Sequence, residues 1–232
     1  MIVWDVLKEK EKLMGDLSFK VEGSSSQCGQ LIVNYAEQVY HTVRIGNQCW
    51  MQENLNIGTR ININQKMQDN SFFEKYCYDN NEINCDIYGG LYQWDEMMQY
   101  STQESAQGIC PNGWHIPSDN EWKEMEIFLG MKQRKANNTG WRGADEGETL
   151  KSTSGRNNNG YGTNSSGFNA LLGGCRNITG SFSHLGRLGY WWSSTENSGS
   201  HAWYRSLGID YSQVHRYDHY KSNGRSIRCL KN

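Results

Sequence analysis

Cys110-Pro111-Asn112-Gly113-Trp114-His115-Ile116-Pro117-Ser118-Asp119-Asn120-Glu121-Trp122 decides how this chain is read, together with Ser226-Ile227-Arg228-Cys229. The first stretch packs a cysteine, a rigid Pro/Gly turn, an apolar tryptophan and a helix start into a few residues. Ser118 offers an N-cap hydroxyl, and Glu121 three positions later completes a capping box. Trp122, Met125 and Leu129 then fall on one helical face. The second stretch alternates like a short strand and brings another cysteine. A Cys110–Cys229 disulfide would close a long loop and tie this strand back to the middle of the chain. Such a staple marks an extracytoplasmic domain rather than a cytosolic enzyme.

The other cysteines extend that reading. Seven in 232 residues is a high count for the cytosol. Cys77 and Cys85 flank the polar turn Asp79-Asn80-Asn81-Glu82 and are expected to staple a small loop. Cys28, Cys49 and Cys175 remain, an odd number, which leaves one thiol free or paired between chains. Zinc is disfavoured because the sequence has no Cys-x-x-Cys pair. The targeting signals conflict with an exported protein. Met1-Ile2-Val3-Trp4-Asp5 meets an acid before an apolar signal core forms, and no small apolar residues precede Cys28. An extracellular or cell-surface location, or association with a virion, is therefore expected without a visible signal peptide.

The apolar fraction is low, at 36%, but nine Trp and thirteen Tyr compensate, since each large ring buries as much surface as several aliphatic groups. Twenty-five glycines point to abundant turns. A formal charge of −2 gives no general attraction to nucleic acid, and no segment is long and apolar enough to suggest membrane insertion.

Along the chain, Val3, Val6, Leu7, Leu13, Met14 and Leu17 space out like an amphipathic helix. Residues 1–27 are read as a helical arm and linker, suited to docking or oligomerisation, and 28–232 as the main domain. Val39–Ile45 alternates as a half-buried strand, and Gly46-Asn47 turns it into Gln48–Met51. Residues 56–75 are Asn-rich and irregular. Leu91, Trp94 and Met98 suggest a first helix over 91–100, and Ser118 begins the second. After about residue 136, short aromatic strands separated by Gly, Asn and Ser turns run to the end.

Several motifs in this order resemble the Fibrobacter succinogenes major paralogous domain family. They are Ile45-Gly46-Asn47-Gln48-Cys49-Trp50-Met51-Gln52-Glu53-Asn54-Leu55-Asn56, Tyr76-Cys77-Tyr78, Tyr88-Gly89-Gly90-Leu91-Tyr92-Gln93-Trp94, and the Cys110–Trp122 stretch. Ser166-Gly167-Phe168-Asn169-Ala170-Leu171, Trp192-Ser193-Ser194-Thr195-Glu196, Ala202-Trp203-Tyr204-Arg205 and Gly224-Arg225-Ser226-Ile227-Arg228-Cys229-Leu230 complete the set. The resemblance implies an α+β, C-type-lectin-like fold: two helices with small twisted antiparallel sheets and long loops, stapled by disulfides. Formylglycine-generating enzymes and the variable proteins of diversity-generating retroelements share that fold. The resemblance gives no pairing for Cys49 or Cys175.

Fold alone does not assign function. A formylglycine-generating-type oxidase would need a reactive cysteine pair near the C-terminus, where only Cys229 lies. Cys175 is the one candidate thiol for a Cys-His hydrolase, and a small strand cysteine is the simpler reading. His215 and His219 in one strand stand roughly 13 Å apart, too far to share a metal. The carboxylates do not cluster for calcium, and most Asp and Glu are expected on a solvated surface. No catalytic residue, metal or cofactor is therefore expected.

What remains is a recognition palette. Alternation places Trp203, Leu207 and Ile209 inward with Val214, and leaves Tyr204, Ser206, Gln213, His215, Tyr217 and His219 facing out. His201, Asp210 and Tyr211 sit on adjoining loops. Rigid aromatics beside adaptable hydrogen-bonding groups resemble a paratope. The expected function is non-catalytic recognition of a cell-surface glycan or protein. The Asn-, Tyr- and Ser-rich tract over 176–223 also suits a diversified binding region or a phage receptor-binding protein. The alternatives are the oxidase or a purely structural surface or virion component.

Overall fold

The computed structural model describes residues 27–154 and 162–232. The arm expected over residues 1–27 therefore lies, but for Gln27, outside the described residues.

The predicted hairpin is present. Strands β1 (Ile32–Tyr35), β2 (Gln38–Ile45) and β3 (Gln48–Met51) form an antiparallel meander. Gly46 at φ +62° turns β2 into β3, a conformation open to glycine without a Cβ clash. The Cys110 stretch and the chain's last residues then complete the sheet. Strand β13 (Leu230–Lys231) lies between β3 and β6 (Trp114–His115), giving the order β1-β2-β3-β13-β6. The Cys110–Cys229 disulfide sits beside this junction, with its Cα atoms 5.9 Å apart.

A six-stranded sheet dominates the second half, in the order β7 (Gly140–Arg142), β12 (Val214–Tyr220), β11 (His201–Gly208), β10 (Leu188–Ser198), β8 (Gly173–Arg176) and β9 (Phe182–Leu185). All pairings in it are antiparallel except β8 with β10. A register shift between Trp192 and Glu196 bulges the long strand β10. The irregular 56–75 segment holds only the two-residue strands β4 (Thr59–Arg60) and β5 (Glu74–Lys75).

Helices are few. The second predicted helix is α3 (Asp119–Phe128), and its Ser118/Glu121 capping box is formed in both directions. The first is much shorter than expected, because α2 covers only Trp94–Met97. Leu91 and Tyr92 are instead extended, exchanging backbone hydrogen bonds with Tyr76 and Arg225. Positive φ at Gln99 and Tyr100 stops the helix on the other side. Conversely, the loop expected between Cys77 and Cys85 contains the start of α1 (Glu82–Tyr88), capped by the Asn81 side chain, which accepts from the Ile83 amide. Short helices α4 (Gln133–Ala136) and α5 (Glu146–Leu150) complete the set.

Two apolar clusters hold these pieces together. In one, Trp50, Trp122, Phe168, Trp191, Leu207 and Val214 fill the space between α3, β3 and the six-stranded sheet. The Trp50 and Trp122 rings meet at 4.9 Å between centroids. In the other, Tyr40, Tyr76, Tyr92, Trp94 and Trp192 share one buried cluster with Cys110 and Cys229. Aromatic area does the work of the missing aliphatic residues.

Three disulfides are formed: Cys77–Cys85 and Cys110–Cys229 as expected, and Cys28–Cys49 besides. Cys175 is the free, buried thiol. This density suits an oxidising environment. Among the described residues no helix is long and apolar enough to cross a membrane.

Candidate recognition face

Strands β10, β11 and β12 have two unlike pleats. On the inner one, Arg205 and Arg216 point toward α3, at positions where alternation calls for apolar side chains. Asp119, the first residue of α3, receives Arg205 Nη1 at 2.7 Å, and Arg216 Nε and Nη2 both at 2.8 Å. Glu126, two turns further on the same face, receives Arg205 Nε at 2.6 Å and lies 2.7 Å from Arg142 Nη2. Arg216 also stacks on Trp203 at 3.7 Å. Burial alone would raise the Asp119 carboxyl, but the Arg216 hydrogen bonds and the Arg205 charge overcome it and hold the group well below the usual carboxylate range.

This clamp corrects the expectation that the acids form a solvated surface. Asp119 and Glu126 are buried and pair with three strand arginines, Arg142, Arg205 and Arg216. The sequence carried a signal: Arg205 stands between Trp203 and Leu207 on their parity, and Arg216 shares that of Val214.

The outer pleat gathers most of the predicted recognition residues. Cross-strand pairs set Ser206 opposite His215, Tyr204 opposite Tyr217, and Ala202 opposite His219. Tyr190 and Trp192 extend the same face onto β10, opposite Ser206 and Tyr204. The alternation read from sequence holds within β11 and β12, but Ile209, expected inward, lies in the turn after β11 and is exposed, and solvent exposure does not follow the alternation elsewhere either. Tyr204 is only 6% exposed and Ser206 is buried too, contrary to expectation, because Tyr190, Trp192 and Arg225 pack over this part of the sheet. Toward β12 the face opens: His215 and His219 are half-buried and Tyr217 is 48% exposed. Buried floor and open rim belong to one surface.

The remaining predicted residues frame it. Tyr211 stacks on Trp141 at 3.9 Å between centroids, and His215 meets the Trp141 edge at 5.0 Å. Lys151 fixes this corner by donating to the carbonyls of Gly208 and Tyr211. Asp210 is exposed, 3.6 Å from Arg187, beside a depression of about 270 Å³ that His184 and Leu188 also line. Gln213 leads into β12 half-buried. His201 departs from the group, standing on the opposite pleat against Tyr220 at 4.3 Å.

Sequence reasoning missed Arg225, Tyr190 and Trp141 as parts of this face. Arg225 follows Gly224 outside any strand and reaches the sheet only because its backbone pairs with Tyr92 while Ser226 pairs with Trp191. Its guanidinium lies 3.7 Å from the Tyr204 ring centroid, 4.7 Å from Trp192 and 4.8 Å from Tyr190. Tyr190 donates to, or accepts from, His184 Nδ1 at 3.0 Å.

Other constellations offer less chemistry. The single metal-like grouping among the described residues, Cys77, Glu82 and Cys85, has its two sulfurs in a disulfide. A wider depression, about 550 Å³, lies between the β2–β3 turn and α3, walled by Ile45, Ile127 and Phe128, with Glu124 as its titratable group. Cys229 is committed to its bridge with Cys110.

No curated protein and no solved structure matches the chain. The model of the Fibrobacter succinogenes major domain matches residues 43–231, from within β2 to β13 and across the whole outer pleat, and the chain belongs to that family.

Proposed function

We propose that this protein is a non-catalytic recognition module, displayed outside the cell, that holds a glycan or protein ligand on the outer pleat of β10–β12. One observation carries the reading: Tyr, His and Ser side chains share one face of a sheet whose other face is locked to α3 by buried ion pairs. Rigid aromatics with polar edges give contact area at low entropic cost, and a fixed scaffold keeps the ordering cost of binding small. The commitment of Cys229 to a disulfide weighs against a thiol oxidase, and three disulfides favour export. We also read the tract over 176–223, which supplies most of this face, as the region where binding specificity would vary.

The test is a glycan and cell-surface-protein array probed with the full chain and with a Tyr211→Ala/Tyr217→Ala/His219→Ala variant. These three side chains are exposed or half-buried at the rim, so the fold should tolerate their loss. Loss of the array signals is expected. Unchanged binding by the folded variant would move the site elsewhere.

A further inference from the structure

Single guanidinium donors also lack acceptors in Arg142 and Arg176, through Nε, but Arg225 differs from the other buried arginines in its partners. Arg205 and Arg216 are neutralised by Asp119 and Glu126, Arg142 by Glu126, and Arg228 donates to Asn54 and to the Phe168 carbonyl. Arg176 donates to the Ile63 and Asn177 carbonyls. Arg225 is only 3% exposed and has no carboxylate partner; beyond a side-chain hydrogen bond with Tyr204, its Nε and Nη1 find no acceptor. Nearby on the same pleat, Ser206 Oγ and His215 Nδ1 are also buried without partners.

Enclosing a cation is costly even after relaxation. Stacking on the ring faces of Tyr190, Trp192 and Tyr204 offsets part of that cost. Donors left unpaired add a further desolvation cost. The Asp119 clamp shows that this sheet accommodates carboxylates where arginines need them, yet on the outer pleat Glu196, opposite Ala202, is taken by Lys221 and no carboxylate pairs with Arg225. Asp218, the acid in β12, is on the other parity. The field there is positive: burial first, then the Arg225 charge, lowers the pKa of both His215 and His219 and favours their neutral forms.

We infer that the outer pleat is an anion-recognition site, in which Arg225, assisted by Ser206 and His215, receives a carboxylate or sulfate group carried by the ligand. This rests on the recognition reading above and names the chemistry of its ligand. An acidic sugar or an acidic side chain would place its anion over the guanidinium and its apolar body against Tyr217 and Trp141. A charge-assisted bond to an otherwise unpaired, desolvated donor is the strong kind.

The experiment follows the Arg225 Nε–H resonance of the wild-type, full-chain protein by NMR during titration with sulfate, acetate, glucuronic acid and, as the neutral control, glucose. A saturable shift with glucuronic acid and with at least one simple anion, and none with glucose, is expected. The simple anion that acts, acetate or sulfate, identifies the group preferred. An Arg225 signal unmoved by all three anions overturns the inference. Arg225→Gln and Arg225→Lys supply a second measurement on the array: ligands retained by wild type should bind at least tenfold more weakly to Arg225→Gln, with partial rescue by Arg225→Lys. Array binding that needs Tyr217 but tolerates Arg225→Gln, with neutral ligands, would sink the anion site and leave the recognition face standing. An Arg225 shift without any array signal dependent on Tyr211, Tyr217 or His219 would do the reverse.

Discussion

Replacing Asp119 with Asn removes one charge from the clamp and changes almost nothing else in size. In the native cluster, Asp119 and Glu126 face Arg142, Arg205 and Arg216, with Lys123 Nζ 3.2 Å from Asp119 at the edge. In Asp119→Asn, Glu126 alone remains against three buried guanidinium groups. A unit pair at about 4 Å and an effective dielectric near 20 is worth roughly 4 kcal/mol, and stripping one partner from a buried pair costs about 3–5 kcal/mol. For a domain of this size, each kcal/mol moves Tm by roughly 2–4 °C, so a fall of about 6–20 °C is expected. Glu124→Gln, on the exposed side of the same helix, should change stability by less than about 0.5 kcal/mol. The assay is urea unfolding followed by circular dichroism, with disulfides intact, over a pH series. The sign of the pH effect is fixed. The Asp119 carboxyl is depressed in the folded state, so its contribution is present above the ordinary carboxylate range and is lost as pH falls through the folded value. Wild type and Asp119→Asn should therefore converge in acid. A loss below about 1 kcal/mol at neutral pH would refute the claim that buried charge holds the sheet to α3.

Three further outcomes follow from the same contacts. Replacing both members of Cys110–Cys229, which are 119 residues apart, should cost roughly 5 kcal/mol in denaturant midpoints, against about 2.5 kcal/mol for Cys77–Cys85, only 8 apart; the opposite ranking would show that loop entropy does not govern these bridges. Ser118→Ala should cost about 1–2 kcal/mol by thermal unfolding, since the hydroxyl accepts from the Glu121 amide and donates to its carboxylate. His215 is held toward its neutral form by burial and by the Arg225 and Arg142 charges. The unfolded chain therefore takes up the proton first as pH drops below about 6.5, and native stability falls there. His215→Gln should flatten that part of the stability profile, and an unchanged slope would assign it to other groups.

Some of this protein could be read from local chemistry alone. The Gly46-Asn47 hairpin, the Ser118–Glu121 cap, the Cys77–Cys85 and Cys110–Cys229 bridges, and the period-two alternation of β11 and β12 each depend on residues close in sequence or on cysteine reactivity. The family motifs were legible for the same reason. Exposure was not, because a strand's own alternation separates two pleats without saying what covers either. Tyr204 and Ser206 lie on the outward parity, yet Arg225 and the β10 aromatics bury them. Arg205 and Arg216 lie on the inward parity, yet are charged, because Asp119 and Glu126 approach from a helix 79 to 97 residues away. Burial and ion pairing are properties of neighbours in space, and no window along the chain contains both partners. The sequence alone determined which residues of β11 and β12 share a face, His201 excepted. Only the tertiary structure decided which face meets solvent, and that one buried arginine there has no anion of its own.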